Sequence, residues 1–192
     1  RYLGERGSLV IIENYRHPPE IVFDDVTFRG DAYPCYGWAA TVVEVEVDLD
    51  TYQVSLLEVA TATDLGRAIH PVLAEGQIEG GTVQALGYAL LEEHVWSKGR
   101  LLNTRMQNYL IPTALDVPRM EVGHEETLSP LNPLGVKGVG EAGAIASTAA
   151  VANAVVDALS PLGIRHLDMP FTAQTVWRAI QGAKSNGKGG KS

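Results

Sequence analysis

The chain has 192 residues, and its 45% hydrophobic content is enough to build a folded core. A formal net charge of −8 argues against a protein that binds nucleic acid non-specifically, because such a protein needs a basic face. The single cysteine, Cys35, excludes an internal disulfide, and we expect a cytoplasmic protein without a membrane span, since charges interrupt the apolar runs.

The first part of the chain predicts strands. Residues 8–15, "SLVIIENY", predict a short strand, and "RHPPE" after them predicts a turn. The clearest strand pattern runs from Gly37 to Asp64, where valines alternate with acidic residues from Val43 to Asp48. Since "DLDT" interrupts this run, we predict a β-hairpin with one buried face and one solvated face.

The rest of the chain mixes helices with strands. From His70 to Trp96 the apolar residues follow helical spacing, which predicts a helix with a core-facing stripe of Ile78, Val83, Leu86, Leu90 and Leu91. Further on, "PRMEVGHEE" and "GIRHLDM" predict strands, while residues 144–159 and "TAQTVWRAI" predict helices. Because strands and helices do not alternate regularly, the sequence predicts an α+β fold. Residues 183–192 are glycine, lysine and other small or polar residues, which predicts a disordered tail.

A glycine-rich loop before the second long helix is the strongest functional signal. In "GVKGVGEAGAIAS", Gly138, Gly140 and Gly143 match the dinucleotide-binding pattern G-x-G-x-x-G. The proline-containing segment before the loop argues against that interpretation, because the pattern should follow a buried strand directly. Glu141 argues against it too, since a carboxylate in the turn would repel a pyrophosphate. A nicotinamide dinucleotide (NAD) site at residues 138–143 remains an alternative.

The same loop also suits a different chemistry, in which it presents Glu141 as a general base. A base must be ionised and within reach of the proton that it takes, and a helix N-terminus favours the ionised carboxylate. Glycines on both sides let a substrate or cofactor approach the backbone closely. A purely structural interpretation, with Glu141 as a favourable first-turn acid, also remains open.

Three blocks of this sequence together resemble one enzyme family. They are "DLGRAIHPVLAEGQIEGGTVQALGYALLEE", "LNTRMQNYLIPTALDVP" and "GVKGVGEAGAIASTAAVANAVVDAL". In this order and at this spacing they resemble the molybdenum-binding subunit of the xanthine dehydrogenase, aldehyde oxidoreductase and carbon monoxide dehydrogenase family. The resemblance covers roughly residues 35–182, and it identifies residues 1–182 with the C-terminal part of the molybdenum-cofactor-binding domain.

The resemblance implies specific roles for a few residues. The family carries molybdenum on a pterin dithiolene, here expected as molybdopterin cytosine dinucleotide, so no protein side chain binds the metal directly. Glu141 would be the catalytic base that activates the metal's water or hydroxo ligand. Gln77 would donate a hydrogen bond to the metal's oxo ligand, and the backbone of Lys137, Gly138, Val139 and Gly140 would lie beside the cofactor.

The resemblance also implies partners. The family's molybdenum subunit is several times longer than this chain, so a complete site requires the rest of that subunit, in a separate chain or a missing segment. Iron–sulfur and FAD subunits would accept the electrons taken from a small-molecule substrate such as CO, an aldehyde, a purine or another N-heterocycle. A non-enzymatic alternative is a structural or assembly module of the same fold that carries no cofactor.

Overall fold

The computed structural model describes residues 10–14, 16 and 18–188, and the chain divides into two compact units, Arg1–Tyr36 and Gly37–Ser192. In the first unit, β1 (Phe23–Asp24) pairs with β2 (Arg29–Gly30) as a short antiparallel ribbon. The turn predicted in "RHPPE" is present, because the Ile21 N–H donates to the Pro18 carbonyl at 3.0 Å. The strand predicted for residues 8–15 is wrong for residues 10–14, which are irregular and exposed; the other residues of that segment lie outside the described ones.

The described residues of the second unit, 37–188, form a three-stranded sheet, a two-stranded ribbon and three α-helices. In chain order its elements are β3 (Ala39–Val47), β4 (Val54–Asp64), α1 (Pro71–Leu90), β5 (Trp96–Ser97), β6 (Arg100–Leu101), β7 (Arg119–Glu125), α2 (Ala142–Leu159), a 3-10 helix (Ser160–Leu162) and α3 (Ala173–Lys188). The sheet order is β3-β4-β7, with β3 and β4 antiparallel and β4 and β7 parallel. This mixture of helices and strands confirms the predicted α+β class.

The β3–β4 hairpin confirms the alternation in the sequence. Val43, Val45 and Val47 face the core, while Glu44 and Glu46 are exposed on the opposite face, as is Val42 at 70%. The connection is tightened by the Asp48 carboxylate, which accepts the N–H groups of Asp50 at 2.7 Å and Thr51 at 2.9 Å. The apolar period of two therefore fixes which face is buried, and the aspartate fixes where the strand turns.

Helix α1 confirms the predicted helix and most of its stripe. It begins at Pro71, after the His70 ring nitrogen Nδ1 accepts the Leu73 N–H at 3.3 Å. Ile78 and Leu86 are buried, and the other three predicted stripe residues are half-buried. Small residues complete the buried face: Gly81, Thr82, Ala85, Gly87 and Ala89. The apolar pattern did not reveal them, because small side chains carry little hydrophobic signal.

Helices α1 and α2 cross where two glycines meet. A Cβ on Gly143 would collide with the Ile78 carbonyl and would lie 2.9 Å from the Thr82 nitrogen. A Cβ on Gly81 would lie 3.2 Å from the Ala144 nitrogen. The backbones therefore approach so closely that only glycine fits on α2 at the crossing, which brings the first turn of α2 against α1.

The apolar composition of α2 is explained by its place in the core. Ala142–Leu162 is long and apolar enough to cross a membrane by length and composition alone, contrary to the expectation that charges interrupt every long apolar run. One face of α2 is buried against α1 and β3, at Gly143, Ser147, Val151, Val155 and Leu159. The spacing of four residues is that of a helix packed on one side.

Two further expectations differ from the structure. "GIRHLDM" is not a strand: residues 164–169 are irregular and join no sheet in the described part of the chain, and Ile164 contributes to the core instead. Helix α3 continues through Lys188, although the sequence predicts a disordered tail from residue 183. Ala183 packs against the core and so stabilises this last stretch of helix. The polar composition of the stretch does not indicate that contact. Residues 189–192 lie outside the described residues.

Candidate functional site

The fold brings together the two sequence blocks that carry the predicted site. Gln77 lies in the second turn of α1, and Glu141 is the N-cap residue of α2. The amide Nε2 of Gln77 donates a hydrogen bond to the carbonyl oxygen of Gly140 at 3.0 Å. Because α1 and α2 cross at Gly81 and Gly143, Gln77 stands directly beside the glycine loop.

The chemistry of this contact fixes the orientation of the Gln77 amide. A carbonyl oxygen can only accept a hydrogen bond, so the NH2 group must face Gly140. That group has two N–H donors, and in the described chain only this one contact uses them. An exposed amide donor therefore remains beside the loop, and it carries no charge.

The loop itself presents unused backbone donors. Among the described residues, the N–H groups of Gly138, Val139, Gly140 and Glu141 meet no acceptor. A Cβ added to Gly138 or Gly140 would meet nothing within 4 Å, so the chain's own packing does not demand glycine there. Open space next to free N–H groups at a helix N-terminus suits a polar or anionic group.

Glu141 is the only carboxylate in this loop. Its backbone is close to helical (φ −105°, ψ −8°), and its side chain makes no capping hydrogen bond to α2. It is exposed, and within the described residues its carboxylate has no hydrogen-bond or ionic partner. The side chain therefore makes no specific contact with the described chain, which weakens the purely structural interpretation.

The side chain of Lys137 points away from the open face of the loop. Its ammonium lies 2.6 Å from the Asp64 Oδ2, and the two side chains are 8% and 7% exposed. Burial alone would raise the pKa of Asp64, but hydrogen bonds from Lys137, Gly66 and Thr127 and the charge of Lys137 hold it below its usual value. Only the backbone of Lys137, and not its side chain, is therefore available to contact a bound group.

Sequence reasoning missed Asp64 and Asn132. The Asn132 side chain binds Val136 twice, through Oδ1 to its N–H at 3.1 Å and through Nδ2 to its carbonyl at 2.9 Å. One feature of the sequence could have indicated Asp64: it is an acidic residue at the end of strand β4, where the strand is buried. A buried charge requires a partner, so such a residue predicts a contact with another polar or charged group. Nothing in the spacing of Asn132 indicates its role.

The features expected of a dinucleotide site are only partly present. No strand lies directly before the loop, because residues 126–135 are irregular and Val136 forms only an isolated bridge with Gly66. The dinucleotide pattern also requires an acid for the ribose further along the chain. Asp168 lies at a suitable distance in the sequence, but it is 92% exposed and pairs with His166 at 3.1 Å. Among the described residues, no group of three or more His, Cys, Asp or Glu side chains is placed to hold a metal ion.

Comparison with known proteins gives a consistent result. The molybdopterin cofactor-binding domain family matches residues 1–118, which include Gln77 but end before the glycine loop. The chain is 38% identical over 149 residues to the 6-hydroxypseudooxynicotine dehydrogenase complex subunit gamma of Paenarthrobacter nicotinovorans, covering 77% of this chain and 19% of that one. It is 33% identical to the carbon monoxide dehydrogenase large chain of Hydrogenophaga pseudoflava, covering 76% of this chain and 18% of that one.

A solved structure extends the similarity to three dimensions. Quinoline 2-oxidoreductase from Pseudomonas putida 86 superimposes with a TM-score of 0.68 at 44% identity, over 71% of this chain and 18% of that one. The chain thus spans about a fifth of the length of the relatives that it matches.

Proposed function

Because the chain belongs to the molybdopterin cofactor-binding domain family, we propose that it forms the C-terminal part of the molybdenum-binding subunit of a hydroxylase or dehydrogenase. This enzyme oxidises a small carbon substrate and takes the inserted oxygen from water. The chain provides one wall of the active site, and the remaining length of the subunit provides the others.

The observation that carries this proposal is the hydrogen bond between Gln77 and Gly140. It joins a neutral amide donor to the loop that ends in Glu141, which supports a site formed by both blocks. Free N–H groups at Gly138 and Val139 lie in the same loop. A donor-rich surface with one carboxylate is what a polar, oxygen-bearing cofactor and a proton transfer require.

We assign the cofactor to a molybdenum-pterin group, in the cytosine dinucleotide form. When bound, the group supplies the redox centre that takes two electrons from the substrate. The chain fits such a group without a metal-binding side chain, because the pterin holds the metal. Gln77 would donate its remaining N–H to the cofactor, and the backbone of residues 137–140 would lie against it. Gly138 and Gly140 leave the space that this approach needs.

Glu141 is the proton acceptor of the proposed reaction. A base must be within reach of the proton that it takes, and within the described residues the Glu141 carboxylate has no hydrogen-bond or ionic partner that would hold it elsewhere. Its exposure in this chain indicates a face that another segment covers in the complete enzyme. Exclusion of water there would strengthen its interaction with the reacting group.

The partners follow from the short length of the chain. We propose that the rest of the molybdenum subunit, in a separate chain or an adjoining segment, completes the cofactor site. Iron–sulfur and FAD subunits accept the electrons, and the enzyme is cytoplasmic. The names of the relatives refer to CO, quinoline and 6-hydroxypseudooxynicotine. We therefore propose that the substrate is CO, an aldehyde or an N-heterocycle.

Purification of the assembled complex tests the proposal directly. We expect molybdenum in stoichiometric amount, a pterin dinucleotide after denaturation, and bleaching of iron–sulfur and flavin absorbance on addition of the substrate. A complex with no molybdenum that instead binds NAD would support the dinucleotide alternative. A complex with neither cofactor would support an assembly module.

A further inference from the structure

A second contact, which is buried, holds the glycine loop at its other end, and it belongs to Asp64. This residue ends β4, and its carboxylate accepts three hydrogen bonds. Oδ2 accepts Lys137 Nζ at 2.6 Å, and Oδ1 accepts the N–H groups of Gly66 at 3.1 Å and Thr127 at 3.2 Å. One side chain therefore ties together the end of β4, the segment after β7 and the start of the loop.

The backbone that follows Asp64 is also hydrogen-bonded to the start of the loop. The N–H of Lys137 donates to the Leu65 carbonyl at 3.0 Å, and the N–H of Arg67 donates to the Gly135 carbonyl at 2.9 Å. Gly66 has φ +65°, and a Cβ there would collide with the Gly135 carbonyl and lie 2.9 Å from the Lys137 nitrogen. Lys137 is thus held by both its main chain and its side chain.

Beyond Lys137 the described chain offers little else to hold the loop. Gly138 has open space around it and an unused N–H, and the next tertiary hydrogen bond is the one from Gln77 to Gly140. Glycine has more backbone freedom than any other residue, so a loop of this composition needs anchors at both ends to keep one conformation. Asp64 and Lys137 form the first anchor, and Gln77 forms the second.

We propose that Asp64 is a positioning residue, which fixes Lys137 and thereby the loop that presents the backbone donors and Glu141. The catalytic meaning of that position rests on the function proposed above. The claim that Asp64 orders residues 138–141 does not depend on that function. A buried pair suits this task because removing either partner alone leaves the other charge buried without compensation, which is strongly unfavourable.

The test is a double-mutant cycle in the assembled enzyme, with Asp64→Asn, Lys137→Met and the double variant. Hydrogen exchange of the peptide that spans residues 135–141 reports the order of the loop through its bonded N–H groups at Val136 and Lys137, and kcat and KM report its consequence. We expect each single variant to exchange roughly tenfold faster or more in that peptide. We expect kcat to fall by about 10- to 100-fold with a smaller change in KM. The double variant should be no worse than the worse single variant, because both act through one contact.

A matched control is Glu58→Gln, which removes an exposed ion pair with Arg119 (3.5 Å) from the same strand. It should leave exchange and kcat at the wild-type level. Wild-type exchange and kcat in Asp64→Asn would overturn the inference, and so would strictly additive effects of the two single variants. If Asp64→Asn does not assemble, Lys137→Met alone decides: faster exchange supports the inference, and unchanged exchange refutes it.

Comparison with Glu141→Gln separates this inference from the proposed function. Loss of turnover in Glu141→Gln together with wild-type loop exchange in Asp64→Asn would refute only the role of Asp64. Normal turnover in Glu141→Gln together with faster loop exchange in Asp64→Asn would refute the proposed function and leave the ordering of the loop by Asp64 standing.

Discussion

The side-chain amide of Gln77 donates to the carbonyl of Gly140, a residue 63 positions later, at 3.0 Å. The contact is possible because α1 and α2 cross at a pair of glycines just beyond it, where their backbones nearly touch. It brings the Gln77 amide against the loop of residues 138–141, whose backbone N–H groups meet no acceptor among the described residues and which ends at Glu141.

Replacement of Glu141 by Gln should abolish turnover without loss of the fold. Glutamine keeps the size and shape of the side chain but cannot take up the proton. In the assembled enzyme we expect full molybdenum content and a fall in kcat of roughly 10²–10⁴-fold. Steady-state kinetics with metal analysis measures both. Asp157→Asn on the same helix is the matched acid-to-amide control, and near-normal turnover in Glu141→Gln would refute the assignment.

Replacement of Gln77 by Ala removes the hydrogen bond to Gly140 and the donor that remains on the amide. The lost hydrogen bond to Gly140 should cost about 0.5–1.5 kcal/mol of stability, while cofactor retention or turnover should fall more visibly. Gln84→Ala is the control, since Gln84 lies on the same helix and its side chain bonds only to Tyr88 among the residues that the structure describes. Unchanged molybdenum content and rate in Gln77→Ala would give Gln77 a structural role only.

Replacement of Gly143 by Ala should destabilise the second unit, because its Cβ would collide with α1. Forcing one carbon into a packed helix crossing typically costs about 1–3 kcal/mol. Gly182→Ala on α3 should instead stabilise by roughly 0.5–1 kcal/mol, since a Cβ there meets nothing within 4 Å. Urea unfolding measures both, and equal stability of the two variants would contradict the observed crossing.

The pair of Asp64 and Lys137 should make stability depend on acid pH. The pKa of Asp64 is lowered in the folded state from its usual 3.8, so the folded protein favours the ionised carboxylate. Its contribution is fully present above pH 3.8 and is lost as the pH falls through the lower, folded-state pKa. Thermal unfolding should therefore show a shallower acid decline for Asp64→Asn than for the wild type. Parallel curves would contradict the role of the pair.

The chain on its own should not retain the cofactor. It contributes one amide, a backbone loop and one carboxylate, and it leaves large apolar side chains exposed: Trp38 at 74%, Val72 at 71% and Ile145 at 69%. We expect the isolated chain to purify without molybdenum and to bind a hydrophobic dye. Metal analysis and dye fluorescence test this, and stoichiometric molybdenum in the isolated chain would show that no partner is needed.

The sequence by itself determined the elements whose signal is local. The alternating valines specified the β3–β4 hairpin, and helical spacing specified α1, α2 and α3, because both periods follow from backbone geometry alone. Family-specific blocks indicated Gln77 and Glu141, and the structure brings Gln77 to the loop that contains Glu141, although their catalytic roles stay predictions.

Only the tertiary structure decided the rest, because it depends on which distant segments meet. "GIRHLDM" has the composition of a strand but finds no sheet edge beside it in the described chain. Gly81 and Gly143 look like ordinary helix glycines until the two helices are seen to cross there. Asp64 and Lys137 are 73 residues apart, and neither carries a periodic or spacing signal. Burial of one charge demands the other, and burial is a property of the packed chain rather than of any local stretch of sequence.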